Sequence, residues 1–395
     1  MQLQEAYIVK AKRTAVGKAR GVFSQTRPDD MLAHVIKTIL SEIPDLPPAE
    51  IDDVIIGCAM PEAEQGWNVG RIAALLAGLP ESVPGFTVNR LCSSGLQSIA
   101  LAADKIKTGV SDVIIAGGTE SMSMIPIAGN KPALNPGIFD DENRAIAFGM
   151  GMTAEKVAQK WRVDRQMQDK FALESHKRSV AAIEQGKFHD EIINFNAVKS
   201  GFNLNEDKAF TTTITVDTDE GPRKDSSLEL LGKLRTVFAK DGSVTAGNSS
   251  QMSDGAAALI ICSEKALKKY NLQPMARFIS FSAAGVKPEF MGIGPVKAIP
   301  KALKLAGLKQ DDLEWIELNE AFAAQSVAVI QELNLDPDKV NPLGGAISLG
   351  HPLGATGSIR AATLLNGMQR NKMKYGMVTM CVGVGMGAAG IFEAL

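Results

Sequence analysis

Cysteine and histidine are scarce in this chain, and net charge is almost absent. Its 395 residues hold four of each, and 42 basic against 44 acidic side chains leave a formal charge of −2. Cys58, Cys92, Cys262 and Cys381 form no CxxC pair, which argues against a disulfide framework or a zinc site and fits a reducing compartment. No His/Cys/Asp/Glu set shows ligand spacing, so no metal is expected. The balance of charge gives no broad field for nucleic acid or an anionic membrane; an anionic partner has to be held by a local pocket. The N-terminus lacks the basic, apolar and small-residue succession of a signal peptide, and Glu393-Ala394-Leu395 is not a peroxisomal address. Cytoplasmic residence and no membrane span are therefore expected. Tyr375 to Phe392 runs 18 residues without a charge, but five of them are glycines, each costing a helix about 0.8–1 kcal/mol relative to Ala. A buried strand, a glycine loop and a second strand is the better reading.

With 22% charged and 45% apolar residues, the composition is that of a globular protein of two or three packed units. Short apolar runs such as Val54–Ile56 and Val113–Ala116 alternate with longer amphipathic segments such as Asp29–Ile43, which is the α/β pattern. Leu96, Ile99, Ala103 and Ile106 trace one apolar helical face just after Cys92. The last third weakly echoes the first. Ala6-Tyr7-Ile8-Val9 returns at Ala276, Asp52-Asp53-Val54 at Asp311, Val88-Asn89 at Val340, and the strand with glycine turn at 113–118 returns at 377–383, with offsets of 252 to 270 residues. Four matches in the same order suggest two copies of one α/β unit packed face to face. Between them, residues 121–245 are polar and loop-rich, with helical stretches near Thr153–Gln185 and a charged tract from Asp217 to Arg235. They read as an insertion over the paired core, where binding residues are commonly carried.

Four segments carry candidate chemistry. Cys92 lies in Asn89-Arg90-Leu91-Cys92-Ser93-Ser94-Gly95 at the start of the predicted helix, where unpaired N–H groups and the dipole favour a nucleophilic thiolate. The alternative is a small packed hydrophobe. His351 lies in a loop with five glycines from Gly344 to Gly357 that can bring an imidazole and backbone donors to a reacting centre, or that is simply a turn with a solvated histidine. His34, His176 and His189 sit in charged or surface-like segments, where ordinary solvation is expected. Cys381 opens the loop Cys381-Val382-Gly383-Val384-Gly385, placed either as an acid/base thiol or as a core residue. Cys381 and Cys92 fall in opposite halves of the repeat, and facing halves bring both to one cleft. Asn319-Glu320-Ala321 follows an apolar run, where α/β sheets present ligand-binding groups; a helix N-cap is the alternative.

Together these segments resemble the thiolases, and most closely the degradative 3-ketoacyl-CoA thiolases; the likeness covers nearly the whole chain, including Gly247–Ala257 and Ala116–Met122. The resemblance implies two repeated βαβαβαββ core domains in a five-layered α/β/α/β/α arrangement with an inserted loop domain. On this chain that means residues 1–120 plus 246–275, 276–395, and a loop domain over 121–245. By motif position Cys92 is the acylated nucleophile, His351 the imidazole that activates it and Cys381 the acid/base thiol. Asn319 holds a water that with His351 makes one oxyanion hole, and the N–H groups of Cys92 and Gly383 make the other. Arg223 and Ser250 match CoA contacts, and Met150 a residue near the acyl end. CoA and acyl-CoA are substrates and no permanently bound cofactor is expected. A homodimer or homotetramer, with a hydratase/dehydrogenase as a further partner, is implied. Three departures stand out: Val384 replaces a frequent glycine, Thr356 a frequent serine, and Leu234-Arg235-Thr236 lacks the usual proline. The expected activity is CoA-dependent cleavage of a 3-ketoacyl-CoA by ping-pong covalent catalysis in fatty acid β-oxidation. The alternatives are condensation of two acetyl-CoA molecules and, remotely, a non-enzymatic acyl-CoA carrier.

Overall fold

The computed structural model describes residues 3–203 and 207–395. The first copy of the repeat supplies strands β1 (Tyr7–Arg13), β3 (Asp53–Gly57), β4 (Gly85–Val88), β5 (Val113–Ser121) and β8 (Ser253–Cys262), with a short β2 (Gly17–Lys18) beside β8. Helices α1 (Pro28–Ser41), α2 (Val69–Leu76) and α3 (Ser94–Lys107) connect its strands, and α7 (Glu264–Lys269) follows β8. Pro28 at the first position and Asp29 and Asp30 in the first turn start α1. The second copy supplies β9 (Ala276–Gly285), β10 (Trp315–Leu318), β11 (Tyr375–Val382) and β12 (Met386–Ala394), with helices α8 (Gly294–Ala306), α9 (Ala323–Leu333), α10 (Ala346–Leu349) and α11 (Thr356–Asn371).

The strands run in the order β4-β3-β5-β8-β1-β9-β12-β11-β10. Read outward from the centre, the second half repeats the first: β9 answers β1, β12 answers β8, β11 answers β5 and β10 answers β3. All four echoes seen in the sequence fall on or beside equivalent elements. β4, however, is answered only by a single bridge of Val340 to Ile316, so the third strand of the second copy has shrunk to one residue. The two half-sheets pair with each other through the short β1–β9 ladder, at Tyr7–Arg277 and Ile8–Ala276. Across that narrow seam the sheet folds back, and α3 packs on α11 between its halves. Three apolar clusters separate the five layers: α1 and α2 on the first half-sheet, α3 and α11 in the middle, and α8 and α9 on the second. Leu96, Ile99, Ala103 and Ile106 all point into the middle cluster, as their spacing predicts. The charge-free stretch near the C-terminus is β11, a glycine turn and β12; among the described residues no helix is long and apolar enough to cross a membrane.

Between β5 and β8 the chain forms α4 (Met150–Trp161), α5 (Arg165–Glu184), a two-stranded sheet of β6 (Phe195–Asn203) and β7 (Lys208–Val216), and the short α6 (Leu228–Gly232). Arg162 in the left-handed region ends α4, and Asp164 accepts from Met167 N–H at 2.8 Å to begin α5, so the helical stretches expected near Thr153–Gln185 are these two. The β6–β7 hairpin was not read from the sequence: Phe195 and Ala197 alternate inward with exposed neighbours at its start, but most of its other described residues face solvent.

The inserted segment is tied to the core by a buried ion triad. Arg13 donates to Glu191 at 2.7 Å and, through two nitrogens, to Asp219 at 2.7 and 2.9 Å; both carboxylates hold its guanidinium above the usual arginine range despite burial. Replacing Arg13 with Met leaves two carboxylates buried without their cation, so urea unfolding of Arg13→Met is expected to show a loss of about 3–5 kcal/mol.

Candidate active site

Cys92 sits in a tight turn, Leu91–Ser93, that leads into α3. The turn is built by its own polar residues: Asn89 accepts from Leu91 N–H at 2.7 Å and donates to Ala59 O at 2.9 Å, while Ser94 Oγ accepts from Arg90 N–H at 2.9 Å. Leu91 adopts a left-handed φ of 46°, which turns the chain so that Cys92 faces the second half. There, the N–H groups of Gly383 and of Cys92 itself lie near the Cys92 sulfur and favour its ionised form. A Cβ on Gly383 would come within 2.9 Å of Leu91 Cδ1, so a larger residue there would have to displace that side chain. Val384 takes φ 65°, a conformation that costs a non-glycine residue about 1–2 kcal/mol. The loop keeps a glycine-like path at that position and stores the strain.

Cys381 ends β11, fully buried beside Met150, Met291, Ala321 and Phe322. Burial pushes its thiol well up, and the nearby Cys92 pushes it further. The two thiols, from opposite halves, are therefore close enough to act on each other. Burial also raises the Cys92 thiol to about 11, opposed by the Gly383 and Cys92 N–H groups. This corrects the expectation of a ready thiolate: Cys92 lies before the first full turn of α3, no cation appears among the groups acting on it, and Glu120 adds a negative field.

His351 is buried and neutral, its pKa pushed down to about 3 by desolvation and by the positive charge of Arg360. Nδ1 lies 2.6 Å from Thr356 Oγ1, whose own proton goes to Pro352 O at 3.1 Å. Nδ1 therefore carries the imidazole proton and Nε2 is left as the basic nitrogen. Asn319 Nδ2 stands 3.4 Å from Nε2, and Asn319 Oδ1 is buried with no partner among the described residues. An orphaned acceptor beside an imidazole is a place for one water.

A cavity of about 520 Å³ opens beside this cluster, lined by Lys18, His176, Arg223, Leu230, Leu234 and Gln251 among others. Arg223 is at its edge, 62% exposed and loosely paired with Asp225 at 3.3 Å. Ser250 is not among the lining residues: its N–H is bonded to Ala321 O at 3.0 Å, and its neighbour Gln251 faces the cavity instead. Met150 lies by Gly383 and Cys381, away from the cavity. Gln251 joins the cavity to the base, donating to Ile347 O and Ser348 O at 3.0 Å and accepting from His351 N–H at 3.1 Å. His176 corrects a further expectation. It is buried, accepts from Arg223 N–H at 3.2 Å, and is held down to about 4 by burial and by the Arg223 charge. Helix α5 turns inward at that residue, which its charged neighbours in the sequence concealed. Thr356 was noted only as standing where a serine is frequent, and Gln251 was given no role; a polar residue five positions after His351 was the available signal for the first.

Thiols, a neutral imidazole and a cavity brought together in this way are equipment suited to an enzyme that transfers acyl groups. Comparison with known proteins agrees. Residues 6–265 match the family "Thiolase, N-terminal domain" and residues 272–394 "Thiolase, C-terminal domain". A 3-ketoacyl-CoA thiolase of Bacillus subtilis (strain 168) is 49% identical over 393 residues, covering 99% of this chain and 100% of that one. The human peroxisomal 3-ketoacyl-CoA thiolase is 42% identical over 392 residues, 98% of this chain and 91% of that one. The crystal structure of the Bacillus anthracis acetyl-CoA acetyltransferase superposes with a TM-score of 0.89 at 36% identity, covering all of both chains. The chain belongs to the thiolase family, and is an acyltransferase. Among the described residues no group of His, Cys, Asp and Glu is placed to hold a metal ion.

Two outcomes follow from this geometry. Alkylation of Cys92 by iodoacetamide is expected to rise about tenfold per pH unit between pH 7 and 10, where a plateau below pH 8 would contradict the raised thiol. Thr356→Val, which removes the acceptor for Nδ1–H, is expected to lower kcat about tenfold or more with KM for CoA little changed, while Thr356→Ser recovers most of the loss.

Proposed function

We propose that the chain is a 3-ketoacyl-CoA thiolase that cleaves its substrate with CoA to acetyl-CoA and an acyl-CoA two carbons shorter, in the degradative direction of fatty acid oxidation. The observation that carries this reading is that the Cys92 and Cys381 thiols act on each other, while the turn carrying Cys92 packs against the turn that directly follows the neutral His351. Relatives named for 3-ketoacyl-CoA thiolysis support the substrate class.

In this mechanism His351 Nε2 takes the Cys92 proton as the sulfur bonds to C3 of the ketoacyl group. The C3 alkoxide lies against the Cys92 and Gly383 N–H groups, each such donor contributing a factor of about 10²–10³ in rate. Collapse of the alkoxide breaks the C2–C3 bond. The electron pair leaves as the acetyl-CoA enolate, stabilised by His351 and by a water on Asn319, and Cys381 supplies the proton that completes acetyl-CoA. The Cys381 thiolate then takes the proton of incoming CoA, whose sulfur attacks the Cys92 thioester. Cys92 departs and recovers its proton from His351. A neutral thiol paired with a neutral imidazole at rest suits this order, because the charge pair forms only when substrate is there to accept it.

The cavity edged by Arg223 and Lys18 suits the CoA nucleotide, and Met150 the acyl end. Its apolar wall at Leu230 and Leu234 suits the pantetheine arm. The division into two core domains and a loop domain at residues 120/121 and 245/246 is part of the same reading. So is a homodimer: β4 is an unpaired sheet edge, flanked by Trp67 (97% exposed), Leu76 (55%) and Phe86 (37%), which a second copy would cover edge to edge. Four unpaired cysteines fit a reducing compartment, and we place the enzyme in the cytoplasm.

Cys92→Ala is expected to abolish CoA-dependent cleavage of acetoacetyl-CoA; normal cleavage by that variant would remove the nucleophile assignment. Cys381→Ser is expected to acquire an acyl label on Cys92 but turn over poorly, and unchanged turnover would exclude Cys381 as the proton carrier. The competing biosynthetic role is decided by the same assay run on four-carbon and long-chain 3-ketoacyl-CoA.

A further inference from the structure

Two buried acids have no part in the mechanism above, although both lie in segments that mark the family: Glu120 in Gly118-Thr119-Glu120-Ser121 and Glu320 in Asn319-Glu320-Ala321. Each is only 1% exposed, and neither forms an ion pair among the described residues. Glu120 accepts from the N–H groups of Gly354 at 2.7 Å, Ala59 at 2.8 Å and Met60 at 3.2 Å, and from the Gln65 amide. Glu320 accepts from Ser175 Oγ at 2.7 Å, Asn341 Nδ2 at 2.9 Å and Ile347 N–H at 3.1 Å. The N–H and NH₂ partners can only donate, and the Ser175 hydroxyl donates to Glu320 here, so both shells favour the ionised, acceptor-only form against burial, which pushes both carboxyls up.

Their targets matter as much as their number. Ile347 lies four residues before His351 and Gly354 three residues after it, on a loop whose glycines leave it little stiffness of its own. Glu120 comes from the end of β5 in the first half and Glu320 from the loop after β10 in the second. Gly345 and Gly354 press on the two carboxylates so closely that an added Cβ would stand 2.2 Å from Glu320 Cδ and 2.7 Å from Glu120 Oε2.

We propose that Glu120 and Glu320 are positioning residues that grip the histidine loop on both sides of His351 and so set the distance from its Nε2 to Cys92. The inference rests on the reading of His351 as the activating base. Substitution by Gln keeps the shape but turns an NH₂ group toward donors at each site.

The test measures thiolysis of acetoacetyl-CoA by Glu120→Gln, Glu320→Gln and His351→Ala, with active sites counted by acetyl labelling of Cys92. Because a misplacement near 1 Å costs on the order of 100-fold, each Gln variant is expected to lose about 100-fold in kcat per active site, with KM for CoA held within about threefold. A variant that is less stable yet turns over normally per labelled site would overturn the proposal, as would equal losses in kcat and CoA binding. Should either Gln variant fail to fold, Gln65→Ala and Ser175→Ala each remove one donor from outside the loop. They are expected to lower kcat a few-fold without changing KM, and unchanged kcat in both refutes the grip. Full turnover by His351→Ala would sink the reading of the base itself. An inactive His351→Ala beside normal Gln variants sinks only the role of the carboxylates.

Discussion

The site depends on the close approach of two helix N-termini from opposite halves of the molecule. A Cβ on Gly95, in the first turn of α3, would lie 2.8 Å from Gly354 O and from Ser358 N, and one on Gly357 would lie 2.2 Å from Leu96 N. Backbone rests on backbone at this crossing, and protein interiors are too densely packed to absorb an extra carbon there. The turn that carries Cys92 precedes α3 and the loop that carries His351 precedes α11, so the glycine contact between the helices also fixes where thiol and imidazole meet. The Cys381 loop closes the third side through the same device, with Gly383 set against Leu91.

Around this contact the protein buries an unusual amount of charge. Arg360 and Glu317, both nearly inaccessible, face each other at 3.5 Å between the halves, and burial raises Glu317 to about 7 even with Trp315 donating to it at 2.7 Å. The positive charge of Arg360 reaches His351 and helps keep it neutral. Glu120 carries the opposite charge on the thiol side and discourages ionisation of Cys92. The buried field thus favours the uncharged forms of both Cys92 and His351. A consequence for pH follows from the depressed His351: the unfolded chain takes up its proton near pH 6.5 and the folded chain only near 3, so this group withdraws stability as pH falls through that interval.

Some features were plain from residue order. The apolar face of α3, the strand pair at the C-terminus and the echo between the two halves each depend on local periodicity or on repeated local sequence, and each appears where expected. The missing strand opposite β4 was hidden because Val340-Asn341 matches Val88-Asn89 in residues but makes only one bridge. His176 reads as a surface residue beside Lys177 and Arg178, yet helix rotation turns it inward while those neighbours stay outside. The raised thiol of Cys92 could not be read from a helix start, since it depends on how little water reaches the sulfur and on a carboxylate 28 positions away in the chain.

Sequence alone determined the inventory: which residues are nucleophilic or basic, which segments become strands and helices, and that the chain holds two related halves. These are properties of short stretches, encoded in side-chain type and spacing. Tertiary structure decided which of those residues meet, in what protonation state, and with what support. Distances between Cys92, His351 and Cys381 come from two glycine-lined contacts between chain segments more than 200 residues apart, and pKa values come from burial and from charges that no local pattern records.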